Sequence, residues 1–418
     1  VHDVDVNPIG ACLVDRLDFS LKTAKISGKD RGGDSEGLRR SRHGSSQAPE
    51  GQCVNAHPFL DPASPRKRQW NDACREGERA AMTDQRYNLI ETLEAGGLAE
   101  VFLVVATSVQ GFKKKVAIKR VLPHLASHTS FIGMFLDEAR LGARLNHANI
   151  VSVFDLGKAD NSFFLVMEFV DGTNLKKIVE TLRSKRKPFP LKDAIYIAME
   201  ACRGLSYAHE LLDDDGGPLD LVHRDVSPPN ILISKRGEVK VTDFGLAKAR
   251  TQLERTDPGV VKGKFSYLSP EVASGQQADE RADIFALGVC LWEMLAGRRL
   301  FLGETDYETV QAVSAADVPS LVGTHAEVDE EFDAMLQRTL ARRPEDRFQS
   351  ARDLGDALAG YLFHHQMKVT SYDIANLVKE AVERQKSVPP RPAAIDTMIL
   401  EELQQFTSLD SNAGVPIE

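Results

Sequence analysis

His223-Arg224-Asp225-Val226-Ser227-Pro228-Pro229-Asn230, followed one hairpin later by Asp243-Phe244-Gly245, is the stretch from which the rest of the chain can be read. Apolar Ile231-Leu232-Ile233 and Val239-Lys240-Val241 flank a turn at Lys235-Arg236-Gly237, which predicts two short strands carrying the polar groups on a rigid base. From that base the Asp225 carboxylate can accept the proton of a hydroxyl, and Asn230 can point back at a cation that Asp243 also holds. Hard oxygen donors of this kind suit Mg²⁺.

A proton acceptor beside a held Mg²⁺ is what phosphoryl transfer needs, because that reaction depends on positioning and charge neutralisation more than on covalent help. With these residues in view, the chain resembles the protein-kinase superfamily from Tyr87 to Leu362. The resemblance implies an α+β, bilobal protein-kinase fold. Its small antiparallel-sheet N-lobe, with one long helix, would cover 87–166, the hinge 167–172, and the mainly helical C-lobe 173–362.

The same resemblance assigns roles. Val116-Ala117-Ile118-Lys119 stands where the family has its third-strand motif, making Lys119 the lysine that grips the α- and β-phosphates of ATP. Glu138 falls where the family places that lysine's partner, and a Lys119–Glu138 pair would mark the active posture. Met167-Glu168-Phe169-Val170 resembles the hinge, with Met167 as gatekeeper and the backbone of Glu168 and Val170 offered to adenine. Leu93, Val101, Ala117 and Leu232 complete the implied adenine pocket, and Asn230 and Asp243 the implied Mg²⁺ ligands, with Mn²⁺ as an alternative ion. Downstream, Ser269-Pro270-Glu271 takes the place of Ala-Pro-Glu, Asp283 begins an apolar helix through Trp292, and Arg347 is placed to pair with Glu271.

Departures from the family pattern bear on activity. Of the three loop glycines in Gly-x-Gly-x-x-Gly, the segment Glu94-Ala95-Gly96-Gly97-Leu98-Ala99 keeps the middle one; Gly96 and Gly97 still allow backbone amides near the phosphates. Glu94 would repel those phosphates unless it turns to solvent. Ser227 replaces a lysine that neutralises the γ-phosphate, and Lys264 replaces a threonine that meets it, so a swap of roles between Ser227 and Lys264 is expected. Gly142 replaces a larger apolar residue behind Phe244 and is expected to loosen its helix. Thr256, then Thr251, are the expected phosphorylation sites, with Arg224 as the receiving cation.

Asp225, Lys119, Glu138, Asn230 and Asp243 are all present, which favours an active kinase over a pseudokinase scaffold. The segment after Asp225 lacks Ala-Ala-Arg or Arg-Ala-Ala, which favours serine or threonine over tyrosine. Expected partners are ATP and protein substrates. The Ser-Pro-x-Asn loop resembles that of soluble bacterial eukaryotic-like kinases, and autophosphorylation is expected.

Composition is consistent with this reading. A net charge of -9 argues against nonspecific nucleic-acid binding, and no apolar run reaches the roughly 18 residues of a membrane span, so a soluble protein is expected. An odd cysteine count, read as free thiols in a reducing compartment, makes the cytoplasm the expected location. The five cysteines show no Cys-x-x-Cys spacing and read as free thiols. Residues 1–81 lack a strong amphipathic period, which predicts disorder; Met82 is the first methionine and the expected translation start. The stretch Leu212 to Pro218 is expected to be an exposed acidic loop. In the tail, 363–418, two short helices are expected at Ile374 to Arg384 and Ile395 to Phe406, separated by Pro389-Pro390-Arg391-Pro392, the first packing on the large lobe.

Overall fold

Strand alternation in the amino-terminal lobe separates a core face from a cleft face, since successive side chains point to opposite sides of a sheet. In the computed structural model, which describes residues 86–96, 99–108, 111–122, 125, 128–159, 162–244, 265–385 and 407–408, this lobe is built on β1 (Arg86–Ala95), β2 (Ala99–Thr107) and β3 (Lys113–Val121). Helix α1 (Thr129–Arg144), β4 (Val153–Ala159) and β5 (Ser162–Glu168) follow. Phe102 and Val104, Val116 and Ile118, and Phe164 and Val166 form one apolar layer. The intervening Val101, Ala117 and Met167 fall on the other face. Antiparallel register sets Val101 opposite Lys119, and Ala117 opposite Met167. Helix α1 buries Ile132, Phe135 and Ala139, at helical spacing, against Val121 and Leu165.

The carboxy-terminal lobe follows a short connection with β6 (Gly172–Asn174), α2 (Leu175–Ser184), α3 (Leu191–His209), β7 (Ile231–Ser234) and β8 (Val239–Val241). It continues through α4 (Pro270–Ala273), α5 (Glu280–Ala296), α6 (Asp306–Ala315), α7 (Glu330–Thr339), α8 (Ala351–His364) and α9 (Ser371–Gln385). Helix α5 is buried on all sides from Ala282 to Leu295, with Asp283 and Glu293 as its only charged residues there, and lies at the centre of the main core, which α3, α7 and α8 surround. Asp279 caps its start by accepting from Arg281 N, and Gly297 ends it at φ 65. No described helix is long and apolar enough to cross a membrane.

The sheets run β1-β2-β3-β5-β4-β9 and β6-β7-β8. The two-residue β9 (Thr407–Ser408) pairs with the β4 edge at Gly157 and Lys158 and is too short to show a period in sequence. Strand β4 begins at Val153; just before it, Val151 N donates to Val241 O of the other lobe, at 2.9 Å. Ile374, Val378 and Ala381 of α9 are buried in the main core. Asp213 Oδ1 shapes the acidic loop by accepting from Asp215 N and Gly217 N, while exposed Asp214 pairs with Arg144 at 2.6 Å. Cys202 and Cys290 are buried free thiols. The readings of 1–81 as disordered, of Met82 as a start, and of Ile395 to Phe406 as a helix lie outside the described residues.

Candidate active site

Helix α5 holds the loop that precedes β7. Asp283 is fully buried; its Oδ2 accepts from His223 N and its Oδ1 from Arg224 N, both at 2.8 Å. His209 Nε2 lies 2.8 Å from the same Oδ2. Burial pushes the Asp283 carboxyl up, but the His209 hydrogen bond, the nearby imidazoles and the His223 N–H outweigh it and hold the group below its usual range. Pinned this way, Arg224 adopts φ 65, a left-handed conformation that costs energy in a non-glycine residue.

That turn presents Asp225. Asn230 Nδ2 donates to Asp225 Oδ2 at 2.9 Å and to Asp225 O at 2.8 Å, so the carboxylate is held from within its own loop. His223 Nδ1 accepts from Asp225 N, which leaves Nε2 to donate to Thr242 O at 2.9 Å. Thr242 N returns a bond to Asn230 O at 3.0 Å, and the His223 ring lies 4.4 Å from that of Phe244. Together with the β7–β8 ladder, these contacts join the Asp225 loop to Asp243, which also sits in the left-handed region, at φ 66. Asp243 Oδ1 is 2.9 Å from Lys119 Nζ, and Lys119 is buried.

Above them is a cleft of about 500 Å³ lined by Leu93, Val101, Ala117, Met167, Glu168, Val170 and Leu232. The Glu168 side chain turns away to Lys240, at 3.1 Å, and accepts from Ser152 N, so the residue meets the cleft through its backbone. Glu94, at the mouth, is exposed to solvent, the orientation that spares bound phosphates its charge. Gly96 N donates to Ala99 O across the loop, while Gly97 lies outside the described residues.

The Glu138 backbone belongs to α1, but its side chain, and with it the Lys119–Glu138 pair, lies outside what is described. So do Lys264, Thr251 and Thr256. Ser227 is buried and its hydroxyl donates to Asp225 O at 3.3 Å. Arg347 meets Glu271 through two parallel bonds of 2.9 and 2.7 Å. At Gly142 a Cβ would lie 2.8 Å from Val153 Cγ2, so β4 takes up part of the space the helix leaves, while a cavity of about 20 Å³ remains between Gly142, Val153 and Phe244. Sequence reasoning missed the clamping role of Asp283 with His209; a carboxylate opening the long apolar run Ile284 to Trp292 was the available signal.

The donor set fits a magnesium ion. The Asn230 amide nitrogen is committed to Asp225, so its oxygen is the atom it can offer a cation, and Thr242 N, next to Asp243, donates to the Asn230 backbone carbonyl; Mg²⁺ is ordinarily held by one or two such groups together with substrate phosphates.

A family model described as a protein kinase domain matches residues 87–357. The tyrosine-protein kinase MasK of Myxococcus xanthus is 42% identical over 279 residues, covering 67% of this chain and 43% of MasK. The serine/threonine-protein kinase PknB of Mycolicibacterium smegmatis is 36% identical over 275 residues, covering 64% of this chain and 42% of PknB. PrkC of Bacillus subtilis, also a serine/threonine-protein kinase, is 34% identical over 269 residues, covering 64% and 39%. The chain thus spans about two fifths of the length of these curated relatives.

Proposed function

This chain belongs to the protein kinase family, and from that premise we propose that it is a serine/threonine kinase transferring the γ-phosphoryl group of ATP to protein hydroxyls, its own among them. The observation that carries the reading is the closed set of contacts in which Asn230 holds Asp225 while Asp243 lies 2.9 Å from Lys119.

Adenine enters the apolar cleft beneath Met167 and meets the backbone of Glu168 and Val170. Lys119 takes the α- and β-phosphates, with Glu138 as its partner. Asp243 and Asn230 would hold a Mg²⁺ ion, which when bound would supply charge neutralisation to the phosphates. Asp225, fixed by Asn230, orients the substrate hydroxyl and accepts its proton as the new oxygen–phosphorus bond forms and the bond from the γ-phosphorus to the β–γ bridging oxygen breaks, releasing ADP. Ser227 carries no charge to offer the γ-phosphate, and Lys264 supplies the cation in its place; Lys264→Ala retaining full turnover would remove this assignment. Retention of every polar group in this set supports catalysis over a pseudokinase role.

Tyrosine specificity is a second reading, favoured by the 42% identity to a relative named as a tyrosine kinase. Phosphoamino-acid analysis after incubation with ATP and Mg²⁺ separates the two. Phosphoserine and phosphothreonine are expected; phosphotyrosine alone would replace the specificity, and no incorporation would remove the kinase reading.

A further inference from the structure

Helix α9 begins beyond residue 357, where the family match ends, yet it packs on β6 and β7. Ile374, Val378 and Ala381 are at most 1% exposed in the main core. Ion pairs fasten both ends: Asp373 to Lys192 at 3.0 Å, and Glu380 to Lys185 and Lys187 at 2.6 and 2.9 Å. The first residue of the helix abuts the β7–β8 turn so closely that a Cβ on Gly237, at φ 81, would lie 1.8 Å from Ser371 O. Val382 lines the nucleotide cleft.

The hairpin that α9 touches is the one that carries the metal-binding groups. Strand β7 starts directly after Asn230, and β8 ends two residues before Asp243. Strands of four and three residues fall at the short end of the range and have little stability of their own, so what holds their turn also sets their ends. Apolar seating in the main core and charge pairs to Lys185, Lys187 and Lys192 hold α9 in place, and a backbone contact that admits no side chain sets its first residue against that turn.

We propose that α9 is a positioning element of the phosphoryl-transfer site: seated against Gly237, it fixes the β7–β8 hairpin so that Asn230 and Asp243 present their oxygens to one metal-bound nucleotide. The chemistry rests on the kinase reading given above, while the positioning is read by nucleotide affinity alone.

The test uses the full chain with Asp373→Ala and Glu380→Ala together, which release both ends of α9 and touch no group placed in the catalytic set. By comparison with residues that orient metal ligands, the Kd for ATP with Mg²⁺ should rise about tenfold, and the Kd for ATP in EDTA less than about twofold. Reversing the pair, Glu380→Lys with Lys185→Glu and Lys187→Glu, should restore the wild-type value. Gly237→Asn gives an independent arm, since asparagine tolerates a positive φ but brings the Cβ that strikes Ser371. It should weaken Mg²⁺-dependent binding in the same way. Hydrogen exchange showing α9 released with the Mg²⁺-dependent Kd unchanged, or both Kd values raised equally, would overturn the proposal. Wild-type protein that binds ATP with Mg²⁺ yet transfers no phosphate would sink the kinase reading instead.

Discussion

Replacing Asp283 by asparagine should cost both stability and turnover, and the structure fixes the size of the effect. One carboxylate oxygen accepts from His223 N and lies 2.8 Å from His209 Nε2; the other accepts from Arg224 N. Asparagine has one acceptor oxygen, so its amide group must face at least one of these donors and leave it unpaired. An orphaned buried donor costs about 1–3 kcal/mol, and the bonds that survive fall from the roughly 1.5–3 kcal/mol of a charged acceptor toward the roughly 1 kcal/mol of a neutral one. The sum is about 3 kcal/mol. That remains below the total stability of about 5–15 kcal/mol usual for a folded domain, so the variant should fold. Turnover should nevertheless drop, because Arg224 at φ 65 relaxes once its N–H is released and carries Asp225 with it. Urea unfolding and kcat measured on the same preparation are the assay. An unchanged urea midpoint together with wild-type kcat would refute the clamp.

Three further outcomes are expected. Arg347→Met leaves Glu271 buried without its bidentate partner, and should cost about 3–5 kcal/mol by urea unfolding; a much smaller loss would deny the pair its role. Gly142→Leu should destabilise by about 1–3 kcal/mol through overlap with Val153, and Val153→Ala in the same chain should recover part of it; an additive double variant would show that the two positions do not share space. Burial raises the Asp193 carboxyl to about 6, only partly opposed by Lys192, so the folded state favours the protonated group. Its contribution is complete below the unfolded carboxylate pKa of about 3.9 and is lost as pH rises through about 6. Asp193→Asn, always neutral, should therefore melt above wild type at pH ~8 and alongside it at pH ~4; a gap independent of pH would exclude the carboxyl as its cause.

Local pattern was legible in the sequence where structure follows period or spacing. Alternation alone separates Phe102 and Val104 from Val101, and the same rule lays Ala117 and Met167 on the cleft face. The Asp225-to-Asp243 hairpin was legible because its turn and both strands lie within one short stretch. What depends on distant partners was not. Asp283 reads as one polar residue in an apolar helix until the fold brings it to a loop some sixty residues away. Gly142 reads as a vacancy because Val153, which takes up part of it, sits on a neighbouring strand. The seat of α9 against Gly237 is a backbone contact, and backbone leaves no mark on residue type other than the absence of a side chain.

Phosphate incorporation by wild type and Asp225→Asn, each incubated with ATP and Mg²⁺ and read by intact-mass spectrometry beside a nucleotide-binding titration, tests the central claim most directly. Wild type should gain phosphate, whereas Asp225→Asn should bind the nucleotide and gain none. Incorporation by Asp225→Asn at the wild-type rate would show that the carboxylate held by Asn230 does not serve the transfer.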